Sequence, residues 1–386
     1  MIGTRQLPQE ALGAQPDALM KEARRRRRRR WARRLVVGVA ALGVAAALAA
    51  LIAGRTRART AGTATVSGAL PHGAFATLRL AGPLAVAPDG VLYVTSGGRP
   101  SVEPFGDQIL ARQPDGRFRV IAGTGKPGFS GDGGPAVRAE LSSVSDLVFA
   151  PDGTLYVADG GRVRTISPDG VIRTIAGNGH SPRTITSGTP ALSAPLGTAA
   201  TDGLKIALSP TGRLYISDVG QLLRLTPAGT LDDIPAIGAS ARGRQPLINL
   251  TSIAIDRHGN IDVAIPGWAI WQVGPNGGVA RSVGFDRGSG GTFPVLQRGP
   301  GGAIYAEDGG GLVRVEPTTL VPLTGFNAAI ASFDQRFLTI AFALGPNGTI
   351  YADDIPGHVA AGTDQQLVAV ANRHLSMLWQ SEPTPK

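Results

Sequence analysis

From residue 80 onward, apolar and polar residues alternate with a period of two, in short runs broken by Pro-Asp-Gly-type turns. Successive side chains of a strand point to opposite faces, so this pattern predicts half-buried β-strands joined by tight hairpins rather than helices. One phrase, strand–turn–strand, returns six times: LAVAPDGVLYVTS (84–96), LVFAPDGTLYVAD (147–159), IALSPTGRLYISD (206–218), IAIDRHGNIDVAI (253–265), LQRGPGGAIYAED (296–308) and FALGPNGTIYADD (342–354). Its turn glycines are Gly90, Gly153, Gly212, Gly259, Gly302 and Gly348. Glycine at such a turn reaches positive φ without a Cβ penalty. Three residues after each glycine stand Tyr93, Tyr156, Tyr215, Asp262, Tyr305 and Tyr351, which include all five tyrosines of the chain.

Behind most phrases comes a second hairpin, as in QILARQPDGRFRVIAG (108–123), RVRTISPDGVIRTIAG (162–177) and QLLRLTPAGTLDDIPAIG (221–238). Each unit therefore has four strands. Repeats of this size and make-up predict an all-β fold, a six-bladed β-propeller of four-stranded blades over residues 75–386. The 54 glycines disfavour helical repeats further.

Residues 121–170, IAGTGKPGFSGDGGPAVRAELSSVSDLVFAPDGTLYVADGGRVRTISPDG, resemble NHL-repeat propellers, especially the bacterial and teneurin-like kind. The resemblance rests on AGTG, GFSGDGGPA, the L-x-F-x-P-D-G-x-L-Y-V-A-D phrase and the R-V-R-x-I that follows it. It departs at Asp262, where the fourth repeat lacks tyrosine, and the fifth and sixth repeats lack a clear R-V-R-x-I echo. The resemblance implies blades of the NHL type and a binding platform, a receptor ectodomain or, more rarely, a lyase.

The N-terminal part is of a different kind. Arg24–Arg30 is an unbroken arginine run, and residues 35–53 (LVVGVAALGVAAALAALIA) carry no charge. As a helix at 1.5 Å per residue this stretch spans roughly 28 Å, close to the ~30 Å hydrocarbon core of a bilayer. Basic residues concentrate before it, and only Arg55, Arg57 and Arg59 follow closely, which predicts a cytoplasmic N-terminus. The expected layout is a basic cytoplasmic tail (1–34), a transmembrane signal-anchor (35–54) embedded in membrane lipid, a small-residue tether (55–74) and an extracytoplasmic propeller (75–386). A cleaved signal peptide is the competing reading of the same span, through Ala47-Leu48-Ala49.

Charge and cysteine content narrow the functions. The formal net charge is +10, but residues 1–59 account for all of it and the remainder is close to neutral, so the propeller is not expected to bind nucleic acid. The chain has no cysteine, which excludes disulfides, thiolate metal sites and a cysteine nucleophile. Arginine far exceeds lysine, as expected of a GC-rich bacterial genome. The G-x-G-x-x-G at Gly123–Gly128 runs on into further glycines and a proline rather than opening a helix, so it reads as a blade connection, not a phosphate loop.

Six residues after the turn glycines come Ser96, Asp159, Asp218, Ile265, Asp308 and Asp354. The four aspartates either ring one face, where oxygen ligands suit a divalent cation or a basic peptide group, or cap the backbone of the loops behind their strands. Trp268 and Trp271 fall in the fourth repeat close to that face and are candidate anchors for a ligand. His180 and His358 belong to connections on the same face. The expected function is a non-catalytic binding or sensor domain for a protein, peptide or glycan. It needs no cofactor, and these residues form its candidate ligand-binding set. The alternative is a lyase or hydrolase using a divalent cation held by the same face, with His180 or His358 as ligand or base.

Overall fold

The computed structural model describes residues 80–96, 107–180, 184–197, 203–218, 220–234, 252–265, 269–275, 277–284, 295–307, 311–324, 327, 339–354, 366–371 and 374–380. All of these fall in the compact unit Leu70–Lys386. The arginine run, the apolar span 35–53 and the tether lie outside the described residues. Among the described residues no helix is long and apolar enough to cross a membrane.

Six antiparallel sheets follow one another along the chain. Blade 1 contains β1 (Leu80–Val86), β2 (Leu92–Ser96), β3 (Gln108–Arg112) and β4 (Phe118–Ala122); blade 2 contains β5 (Val144–Phe149), β6 (Leu155–Asp159), β7 (Arg162–Ile166) and β8 (Ile172–Ala176). Blade 3 begins with β9 (Thr189–Pro190) and continues with β10 (Lys205–Leu208), β11 (Leu214–Asp218), β12 (Gln221–Leu225) and β13 (Thr230–Asp233). Blade 4 contains β14 (Ser252–Ile255), β15 (Ile261–Ile265), β16 (Ala269–Val273) and β17 (Val279–Gly284). Blade 5 contains β18 (Leu296–Arg298), β19 (Ile304–Glu307), β20 (Leu312–Val315) and β21 (Leu320–Pro322), and blade 6 contains β22 (Thr339–Leu344), β23 (Ile350–Asp354), β24 (Gln366–Ala371) and β25 (His374–Gln380). The inner strands β1, β5, β10, β14, β18 and β22 pack in that order, and β22 returns to β1, so the sheets close into a six-bladed propeller.

The six inner hairpins share one turn. In each, the N–H of the turn glycine donates to the carbonyl three residues before it, and the N–H of that earlier residue donates to the carbonyl just after the glycine, as in Gly90 to Ala87 (2.9 Å) and Ala87 to Val91 (2.9 Å). All six glycines have positive φ, from +75° at Gly302 to +90° at Gly90.

The core consists of six seams between neighbouring blades. The tyrosines belong to these seams: Tyr93 lies against Phe149 of blade 2, ring centroids 4.8 Å apart and edge to face. Tyr156 joins the cluster containing Leu208 of blade 3, Tyr215 that of Ile255 in blade 4, Tyr305 that of Leu344 in blade 6 and Tyr351 that of Val86 in blade 1. Across its own hairpin each of Tyr93, Tyr215 and Tyr351 faces an alanine, Ala85, Ala207 and Ala343, which leaves room for the ring.

The connections into blades 2 and 3 do more than join sheets. Pro135 bridges to Val171, and β9 pairs with β13, so each connection adds a rung to the outer edge of the blade it enters and makes blade 3 five-stranded. Covering an outer edge removes unpaired backbone groups that would otherwise invite strand addition. Both connections begin from a glycine at positive φ whose N–H is held by the next short turn: Gly123 by Ala136 and Gly177 by Ala191. The Gly123–Gly128 segment is thus a connection and does not open a helix.

A Cβ on Gly177 would lie 2.3 Å from the Gly161 carbonyl oxygen, whereas Gly170, also at positive φ, has open space there. Gly170→Ala is expected to cost only the left-handed conformation, about 1 kcal/mol, and Gly177→Ala at least about twice that, measured as the difference in urea midpoints.

Candidate functional site

The propeller encloses a central channel of about 480 Å³. Its wall is built from the inner strands of all six blades and continues to the inner turns, with Pro88, Pro151, Ser209, Gly301 and Pro346 at that end. Because inner strands present a backbone edge inward and their side chains to the seams, the wall is mostly backbone, alanine and aliphatic carbon. The charged residues in it are Asp146 and Arg298.

The aspartates expected to ring the opposite face are placed as follows. Asp159, 2% exposed, accepts hydrogen bonds from the N–H groups of Ser142 (2.8 Å) and Ser143 (3.1 Å) through Oδ1. Asp218, also buried, accepts the Gly197 N–H at 3.0 Å. Ser142 and Gly197 are equivalent points of the two edge-covering connections, so both carboxylates tie a connection to the end of its own blade's second strand. Asp308, His358 and Trp268 lie outside the described residues, and Asp354 is described only as the end of β23. His180 is exposed, with its backbone N–H on the Asn178 side chain.

Trp271 differs from expectation. It sits in mid-strand in β16, opposite Val263 and Ser282, and packs against the seam of blades 3 and 4 rather than standing at the loop face. The alternation of β16 sends it there together with Val273. None of Asp159, Asp218, His180 and Trp271 lines the channel. Among the described residues there is no group of three or more His, Asp or Glu side chains that could hold a metal ion.

Three polar groups escaped the sequence reading. The first is Arg164, fully buried, which explains the GFSGDGG and R-V-R signature. Its Nη2 donates to Asp132 (2.7 Å) and to the Ser130 carbonyl (2.7 Å), and its Nη1 to Asp159 (3.3 Å) and the Glu140 carbonyl (3.0 Å). The Phe129 ring lies 4.9 Å from Arg164 and 3.8 Å from Arg162. Burial alone would push the Asp132 carboxyl up, but hydrogen bonds from Thr174 and Arg164 hold it below its ordinary value. The charge and hydrogen-bond geometry thus fold a glycine-rich loop that has little apolar content of its own.

The second is a set of polar staples between blades. Asp146 accepts the Ile206 N–H of blade 3 (2.8 Å), and Lys205 Nζ donates to the Ser145 carbonyl (2.8 Å). At the same register seven residues before the turn glycine, Ser252 Oγ accepts the Leu296 N–H of blade 5 (2.9 Å). Asp107 takes the Val144 N–H between blades 1 and 2. Burial, reinforced by the Asp159 charge and opposed by the Val144 hydrogen bond, raises Asp107 to about 7; burial raises Asp218 to about 6. The third is Arg298 in the channel wall, exposed, at the register where the other inner strands carry Val86, Phe149, Leu208, Ile255 and Leu344.

No family model matches the chain. The chain is similar to teneurins. Teneurin-m of Drosophila melanogaster is 30% identical over 160 residues, 38% of this chain and 6% of that protein. Teneurin-1 of Mus musculus and of Homo sapiens are each 37% identical over 103 residues, 24% of this chain and 4% of theirs. The chain therefore spans only a few per cent of the length of these relatives. Among solved structures, a protein of unknown function from Bacteroides caccae is 13% identical with a TM-score of 0.47, covering 75% of this chain and 93% of that one. Another, from Bacteroides thetaiotaomicron, is 13% identical with a TM-score of 0.42, covering 76% and 86%.

Arg164→Ala leaves the buried Asp159 without its cation and is expected to cost about 3–5 kcal/mol, read from denaturant unfolding. A pH series gives a second check. Asp107 and Asp218 keep their protons when folded at pH values where the unfolded chain, near 3.8, has lost them. Their contribution to stability therefore falls as pH rises from about 4 to about 7 and is flat above. Asp107→Asn and Asp218→Asn each keep a backbone acceptor and should make that decline shallower.

Proposed function

We propose that this chain is a membrane-anchored, extracytoplasmic propeller that acts as a non-catalytic binding or sensor domain, taking its ligand at the central channel. The observation that carries the reading is the channel itself: a preformed cavity of about 480 Å³, its wall shared between backbone polar groups and carbon, with two charged residues, within the range of small-ligand sites. The described members of the candidate face support it from the other side, since Asp159 and Asp218 spend their carboxylates on loop backbone. The apolar span 35–53 and the arginines before it support the anchor, and the teneurin-like and NHL-like phrases support a blade family in which ligand recognition is a common use. A protein, peptide or glycan terminus is the class of ligand such a mouth admits.

The test uses the full-length chain in detergent, screened against peptides, glycans and small metabolites by thermal shift. A ligand present at 100 times its Kd should add about 2.7 kcal/mol of stability, be recovered chemically unchanged, and lose its effect in Leu344→Trp, which fills the channel. Turnover of the ligand, abolished by a chelator and restored by a divalent metal, would replace the binding reading with the metal-dependent lyase or hydrolase. A shift that survives Leu344→Trp would move the site off the channel.

A further inference from the structure

The seam between blades 4 and 5 is chemically unlike the other five. Elsewhere a tyrosine of one blade meets an apolar residue of the next, four positions before its turn glycine. Here both partners are changed: Asp262 stands in the tyrosine register and Arg298 in the apolar one. Asp262 is buried, and Gln272 Nε2 donates to its Oδ1 at 3.3 Å and to Asp256 Oδ2 at 3.4 Å. Asp262 does not line the channel, whereas Arg298 does. Arg298 is exposed and, while its backbone pairs with Ile304 in the sheet, its guanidinium makes no hydrogen bond or ion pair among the described residues.

We propose that the channel binds a small molecule bearing one carboxylate on an apolar body, with Arg298 as the anchor of the carboxylate. This deepens the binding reading and rests on it. A guanidinium offers two parallel N–H donors that match the two oxygens of a carboxylate, and this pairing is stronger and more specific than one to a neutral acceptor. At the same register the partly exposed Val86, Phe149 and Leu344 add carbon to the wall beside which the body of the ligand would lie, while Leu208 and Ile255 are buried in their seams.

The charge count selects a monoanion over a phosphate ester. Arg298 is the single cation in the described wall, and the other charged residue there, Asp146, is an acid already accepting the N–H groups of Leu147 and Ile206. A dianion would bring a second charge into a cavity with nothing to balance it. A neutral ligand would leave the guanidinium unmatched and gain nothing from the exchange of an aliphatic residue for arginine at this one position.

The full-length chain in detergent, titrated calorimetrically with 3-phenylpropionate and with its neutral amide 3-phenylpropanamide, tests the inference. The acid should bind at least about tenfold more tightly than the amide, and Arg298→Met should bring it down to the amide's affinity while leaving the melting temperature in place, since Arg298 holds no other group. Equal binding of acid and amide to the unaltered chain, or an acid affinity indifferent to Arg298→Met, overturns the inference. If in that case Leu344→Trp still abolishes both, the channel remains a binding site and only its preference for an acid falls. If neither compound binds, the proposal also falls, and the broader binding reading is decided by the ligand screen.

Discussion

The seam between neighbouring blades is the constraint on which the rest of the structure depends. A four-stranded sheet has two faces, and in a ring each face must be covered by the next sheet. The inner hairpins meet this demand with a tyrosine on one side and an aliphatic or aromatic residue on the other. Among the described residues the ring closes without exchange of a strand between the first and last blades: Tyr351 of blade 6 reaches Val86 of blade 1 through ordinary side-chain packing. Burial of a large ring at five of the six seams provides up to roughly 1.5–3 kcal/mol each before any geometric bonus, which makes the register of the tyrosines a register of stability.

Polar groups refine that packing rather than oppose it. Asp146, Ser252 and Asp107 reach across seams to backbone N–H groups, so a row of amides that the ring geometry leaves without sheet partners is satisfied by side chains. Arg164 does the same for the glycine-rich connection, holding carbonyls and carboxylates from several segments at once. Asp107, Asp146, Asp159 and Asp218 accept backbone N–H groups, and their energetic role is to hold loops and neighbouring blades in place. That separates the loop face from the channel: on the one, the described carboxylates are structural; on the other, a charged group is left open to a ligand.

The channel follows from the same geometry. Six inner strands cannot all converge on an axis, so a cavity remains, lined by whatever the inner strands carry near their turns. In five blades the residue four positions before the turn glycine is aliphatic or aromatic. In the fifth blade it is arginine, and the fourth blade changes with it by losing its tyrosine. The proposed site thus falls at the one seam where the packing rule is relaxed, which is where a rigid scaffold can change its chemistry without losing closure.

Much of this was legible in the chain itself. Period-two alternation, six turn glycines and the tyrosine register determined hairpins, blade number and four-stranded units, because turn conformation and strand faces are local properties. The reading of Asp159 and Asp218 as backbone caps was also visible as one of two options. What the sequence left open was everything set by which residues meet across seams and loops. Trp271 looked like a loop-face residue until the pairing of β16 placed it in mid-strand, and the edge-covering role of β9 required a partner forty residues away. Arg164 stood in the R-V-R phrase, but its role there and that of Asp107 were hidden because their partners are distant in sequence. Arg298 was written in the repeat from the start, but only closure of the ring turned its register into a position on a channel wall, since a cavity belongs to the arrangement of six blades and to none of them alone.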